Sequence, residues 1–256
     1  MKKFPAFAFV ASALMVGTQP ATATTYALGF SSLPSAQGWS YLTEGGGAGI
    51  PDSTLYTATG SSLFQNTLGI PTETRGGNFY TRGFTMDAGA DFSLDVNARV
   101  STFEGQTLGG STIYPFSYFF TVGTTTGYSI FGVAGSRFGY LDQTGAVAYG
   151  DFAPGFSLGR FNDYRISRTN GLTSLSVNGV TLASYIAPLL GGNALELGEG
   201  TGFANASGEM RSFVFNTSSV PEPTTWGMMI IGFGIVGWSM RQRGRRFTES
   251  GRQPAI

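Results

Sequence analysis

The clearest periodic stretch is FSLDVNARV, where Phe92, Leu94, Val96, Ala98 and Val100 fall on one face and Ser93, Asp95, Asn97 and Arg99 on the other. A period of two is that of a strand with one buried and one wetted face. The same alternation recurs through YRISRTNGLTSLSVNGVTLASY, Tyr164 to Tyr185, around Asn170-Gly171 and Asn178-Gly179. Asn-Gly supplies the positive φ values of a two-residue type I′ turn, so this segment predicts three antiparallel strands. YPFSYFFTVG and YSIFGVAGSRFGYLD are two further strand candidates separated by a turn at Thr124 to Gly127, and EMRSFVFNT reads as a closing strand. With no helical period between residues 24 and 217, the span predicts an all-β, antiparallel β-sandwich and not a βαβ design.

Both ends of the chain depart from this pattern. Lys2 and Lys3, an apolar run from Phe4 to Val16 and the small residues Ala21-Thr22-Ala23 form the three parts of a secretory signal. A signal helix cut at Ala21 and Ala23 implies the Sec translocon and signal peptidase as partners. At the other end, Thr225 to Met240 carries no charge and would form a helix of about 24 Å. That is slightly short of a bilayer core of about 30 Å. Snorkelling arginines and the interfacial Trp226 and Trp238 close the gap. Arg241, Arg243, Arg245 and Arg246 would then stay in the cytoplasm, which places residues 24–220 outside. The expected organisation is a signal peptide at 1–23, a β-sandwich at 24–217 and a linker at 218–224, followed by a transmembrane helix at 225–240 and a basic cytoplasmic tail at 241–256. Within the linker, Pro221-Glu222-Pro223 fixes an extended backbone that can join neither helix nor sheet, as suits a processing site or a plain spacer.

Composition narrows the chemistry. There is no cysteine and no histidine, which excludes thiol nucleophiles, Cys/His zinc sites and Ser-His-Asp triads. Residues 24–220 carry eight arginines against thirteen Asp and Glu, a balance of −5, so no nucleic-acid partner is expected.

Glycoside hydrolysis needs two carboxylates about 5–10 Å apart. Asp87, Asp91 and Asp95 are spaced by four, but the first two sit among turn-forming residues; Glu196 and Glu199 fall on opposite strand faces. Asp142 and Asp151 lie in loops without a calcium-binding pattern, and Gly198 to Gly202 lacks the Lys and the setting of a phosphate loop. Trp39, Tyr41, Tyr80, Tyr140 and Tyr149 lie near Gly-rich loops where aromatic faces could meet sugars, although packing is the commoner role. No catalytic, cofactor-binding or metal-binding residue is assigned, and the protein is not expected to be an enzyme.

The order Pro221-Glu222-Pro223, Thr224-Thr225-Trp226, an apolar Gly-rich run and then Arg241 to Arg246 resembles the PEP-CTERM sorting domain of Gram-negative bacteria, in its Trp-containing variant, also labelled the ice-binding protein C-terminal domain. Gly227 stands where that variant usually has Ala, and ten residues, Phe247 to Ile256, trail the basic cluster. The resemblance implies an exosortase that recognises Pro221, Glu222 and Pro223, a transient membrane anchor, and delivery of an inner-membrane precursor to the cell surface or matrix. It also implies an association with exopolysaccharide and biofilm. YRISR, SLSVNGVTLAS and the later LGEGTG are similar to the concanavalin A-like jelly roll of lectins, laminin G modules and extracellular glycosidases, a resemblance that makes GFSSLPSAQGWSY the expected opening edge strand. Together these resemblances imply a non-catalytic surface or matrix protein. A secreted carbohydrate-active enzyme and a ligand-free structural envelope protein are the alternatives.

Overall fold

The computed structural model describes residues 23–43, 49–70, 77–108, 111–113, 116–134, 137–189, 191–200, 204–218 and 232–233. In chain order the strands are β1 (Thr25–Ala27), β2 (Ser40–Thr43), β3 (Tyr56–Ala58), β4 (Leu63–Asn66), β5 (Asn78–Gly83), β6 (Phe92–Leu108), β7 (Ser111–Ile113) and β8 (Tyr118–Thr124). They continue as β9 (Gly127–Ala134), β10 (Arg137–Leu141), β11 (Val147–Asp151), β12 (Asn162–Thr169), β13 (Leu172–Val177), β14 (Val180–Tyr185), β15 (Ala194–Glu199) and β16 (Ala204–Thr217). Among the described residues up to 218, helix is confined to single turns at Pro34–Gln37 and Asp52–Leu55. The expected signal and transmembrane helices fall outside the described residues, apart from Ala23 and Gly232–Phe233. Among the described residues no helix is long and apolar enough to cross a membrane.

Two antiparallel sheets face each other. The first runs β14-β13-β12-β6-β16-β4-β3, with β1 also on β16 and β7 on β6; the second runs β11-β10-β9-β8-β15-β5-β2. The alternation at Phe92–Val100 is realised in β6, where Phe92, Leu94, Val96, Ala98 and Val100 are all buried. Rings of both sheets share this core. Phe120 and Phe131 stack at 5.5 Å, and Tyr164 meets them at 5.5 and 5.3 Å. The expected closing strand is β16, but it lies centrally, paired with β6 on one side and with β4 and β1 on the other.

Turn chemistry sets the register. Asn170 and Gly171 have φ of 51° and 80°, and Asn178 and Gly179 have 50° and 78°. Thr169 therefore pairs with Leu172 and Val177 with Val180, which closes both two-residue hairpins as the sequence predicts. Two expected elements differ. GFSSLPSAQGWSY is extended only from Ser40, because Pro34 starts a 3-10 turn that Gly38 ends at φ 83°. YSIFGVAGSRFGYLD is two strands, β9 and β10, which pair through Gly132 and Gly139.

One buried cation ties the sheets together. Arg168 on β12 is 4% exposed. Its guanidinium donates to Thr124 Oγ1 at 3.0 Å, to Thr126 Oγ1 at 2.6 Å and to the Ala90 carbonyl, and it lies 5.0 Å from the Phe92 ring. Thr124 and Thr126 belong to the β8–β9 turn, so this side chain crosses from one sheet to the other. Burial pushes its pKa below the ordinary arginine value, and the Asp91 charge works against that shift.

Two substitutions test this description by urea unfolding. Gly179→Ala adds a methyl group with nothing within 4 Å, so backbone strain at positive φ alone should cost about 1–2 kcal/mol. Arg168→Leu removes the hydrogen bonds to Thr124, Thr126 and the Ala90 carbonyl and should cost about 2–4 kcal/mol; Arg168→Lys should recover only part of it, having no planar fork to span them.

Candidate functional site

The two sheets present unlike outer faces. The first is polar: Arg165 pairs with Asp95 at 2.8 Å, Arg99 with Glu209 at 2.7 Å, and Asn97 donates to Asp163 at 2.6 Å. The outer face of the second is ring-rich, with Phe116, Phe119 and Ile130 buried on it and Phe79, Tyr128 and Leu141 packed against them. Side chains on a solvent-side face are ordinarily polar, so a second apolar cluster outside the inter-sheet core marks this face as the candidate binding surface.

Strand register orders the face into rows. One row runs Leu42, Phe79, Gly198, Phe119, Gly132, Gly139 and Tyr149 across all seven strands. The next runs Ser40, Thr81, Glu196, Thr121 and Ile130. An apolar row thus lies beside a hydroxyl-rich row with a carboxylate in it. Phe79 and Phe119 meet edge to face at 5.8 Å. Phe116 has φ 50°, a costly conformation for a bulky residue, and its ring lies across the two glycines. A methyl group at Gly132 would come within 1.8 Å of that ring.

Glu196 sits on a central strand, half-buried between Thr81 and Thr121. Tyr128 on β9 reaches it over β8, because position 123 is glycine, and its hydroxyl donates to Glu196 Oε2 at 2.6 Å. Burial pushes the Glu196 carboxyl above the usual carboxylate range, and the Tyr128 hydrogen bond works against that. Burial, followed by the Glu196 charge, raises the Tyr128 hydroxyl well above its ordinary value. Tyr128 is therefore a neutral donor, and Glu196 Oε1 has no partner among the described residues.

The residues singled out in the sequence mostly serve packing. Trp39 and Tyr80 are buried, and Tyr41 packs against Tyr80 at 5.2 Å and Tyr56 at 6.1 Å. Tyr140 packs on Tyr185 at 5.0 Å. Tyr149 alone of the five is exposed, on edge strand β11, where Arg137 pairs with Asp151 at 2.9 Å. Asp142 caps its own turn through Thr144 and Ala146. Asp87 and Asp91 precede β6, while Asp95 lies within it. Glu196 and Glu199 part as expected, the latter buried with Asn78 donating to it at 3.2 Å. No group of three or more metal-ligating side chains occurs among the described residues. Ala23 is exposed, next to β1, whereas Ala21, Pro221, Glu222, Pro223, Trp226, Arg241, Arg243, Arg245 and Arg246 lie outside the described residues. The Ser40, Leu42, Phe79, Thr81 and Tyr128 surroundings of Glu196 were not foreseen; the alternation of Leu195, Glu196 and Leu197 was their one local signal.

A comparison with curated proteins finds no match. Among solved structures, the chain is similar to the CBM2 module of the evolved Dit of Lactobacillus casei BL23 phage J-1, with TM-score 0.50 and 9% identity over 78% of this chain and 98% of that one. It is also similar to a prokaryotic β-1,3-1,4-glucanase (lichenase) derived from a mouse hindgut metagenome, with TM-score 0.46 and 14% identity over 77% of this chain and 100% of that one. A third is alginate lyase AlgAT5 of polysaccharide lyase family 7, with TM-score 0.43 and 12% identity over 65% and 83%. Identities this low speak to fold alone. At the carboxy end, residues 219–246 match the PEP-CTERM protein-sorting motif, the stretch whose proline, apolar and arginine parts the sequence had set apart. The chain thus carries a PEP-CTERM protein-sorting motif behind a two-sheet β-sandwich of jelly-roll type.

Proposed function

We propose that this is an exported protein of a Gram-negative bacterium, held in the inner membrane as a precursor, processed by an exosortase and delivered to the cell surface or matrix. Its β-sandwich binds saccharide there without cleaving it. The sorting motif at 219–246, placed after a folded all-β unit spanning Thr22–Val220, carries the reading. The leader at 1–23 and the arginines after Met240 agree with it on topology.

The non-catalytic part is supported by charge placement. Among the described residues, the strands of the second sheet point Glu196 and Asp151 outward. Their strands β15 and β11 are four positions apart, about 19 Å of sheet at about 4.8 Å per strand. Hydrolysis by paired carboxylates works across about 5–10 Å. Asp151 is moreover committed to Arg137.

Replacing Pro221, Glu222 and Pro223 by alanine should leave a full-length precursor in the membrane fraction of the native host; processing at the wild-type rate would refute the sorting role. Incubation with polysaccharides should release no reducing ends and no unsaturated products, and turnover abolished by Glu196→Gln would show the sandwich to be an enzyme.

A further inference from the structure

The open part of the ring-rich face is a two-row patch at one side of the second sheet. Leu42 (38% exposed) and Phe79 form its apolar row, and Ser40, Thr81 and Glu196 its polar row. These residues come from β2, β5 and β15, so the patch spans about 10 Å across strands and about 7 Å along them. That is room for about one or two hexose rings. β2 is the edge of the sheet, so a longer chain can run off the patch without meeting another strand. On the other side Phe116 fills the floor above Gly132 and Gly139, and Tyr149 on β11 lies beyond it with Arg137 over its ring.

The geometry points to this patch, built by Leu42, Phe79, Ser40, Thr81 and Glu196, as a subsite for neutral saccharides that discriminates against acidic ones. The inference rests on the saccharide-binding reading above and adds a ligand class to it. The C–H face of a hexose lies on Leu42 and Phe79, while its hydroxyls meet the Ser40 and Thr81 hydroxyls and the free Oε1 of Glu196. Tyr128 holds the other oxygen at 2.6 Å and so fixes the carboxyl group in place. Among the described residues no cation faces the patch. Arg82 on β5 turns to the inner side, where it donates to the Gln37 carbonyl and lies over the Tyr26 ring, and Arg137 is spent on Asp151. A uronate carboxylate would find no charged donor there and would sit against Glu196, a combination that like-charge repulsion and desolvation disfavour.

The test uses the full chain in mild detergent and a panel of hexasaccharides: β-glucan, mannan and galactan oligomers as neutral probes and oligogalacturonate as the acidic one. At least one neutral probe should bind at least tenfold more tightly than oligogalacturonate. Leu42→Ala and Glu196→Gln should each weaken it at least fivefold, and Tyr149→Ala should change it less than twofold. Leu42 is exposed, and the amide oxygen introduced by Glu196→Gln can still accept from Tyr128, so unchanged unfolding midpoints are expected to accompany the losses. Preference for oligogalacturonate, or a neutral binder lost with Tyr149→Ala but indifferent to Leu42→Ala and Glu196→Gln, overturns the inference and leaves saccharide binding standing. Failure of all four probes to bind overturns the saccharide reading itself, and the inference with it.

Discussion

The fold depends on the burial of aromatic and aliphatic side chains between two sheets whose pleat sends alternate residues to opposite sides. β6 and β16 supply one wall, and β8, β9 and β15 the other, with Tyr164, Phe120 and Phe131 as the ring cluster between them. The chain has no cysteine, so this burial has no disulfide to share the task of holding an exported domain together. Cross-sheet contacts such as that of Arg168 with the β8–β9 turn then matter because they fix how the two layers sit on each other. A displaced layer would move every residue on the outer faces with it.

Alternation has a second consequence. Once Leu195 and Leu197 point into the core, Glu196 must face outward, and its neighbours are chosen by strand order and not by sequence proximity. Thr121 and Thr81 come from strands far away in the chain, and Tyr128 arrives over a glycine. The same logic separates Asp151 from Glu196 by four strands. Among the described residues, the outer face of the second sheet thus has a central carboxylate, hydroxyls on both sides and an apolar row alongside.

The sorting motif and the folded sandwich occupy separate parts of the chain. The two ends are marked by gross properties of the sequence: an apolar run, a charge cluster and a proline-containing spacer. The outer faces of the middle exist as surfaces only when the sheets are formed.

That division explains what could be read without a structure. The chain by itself determined the sorting motif, the β class, the phase of β6 and both Asn-Gly hairpins, because each is a local property of period, composition or backbone φ. It also indicated that Glu196 and Glu199 point apart. It could not show that β16 lies in the middle of its sheet, that Trp39 and Tyr80 are core residues, or that Phe116 covers two glycines. Nor could it assemble Ser40, Leu42, Phe79, Thr81 and Glu196 into one patch. Period fixes which face of a strand a side chain occupies, whereas lateral neighbours depend on strand order and register, and these are settled only when distant segments pair.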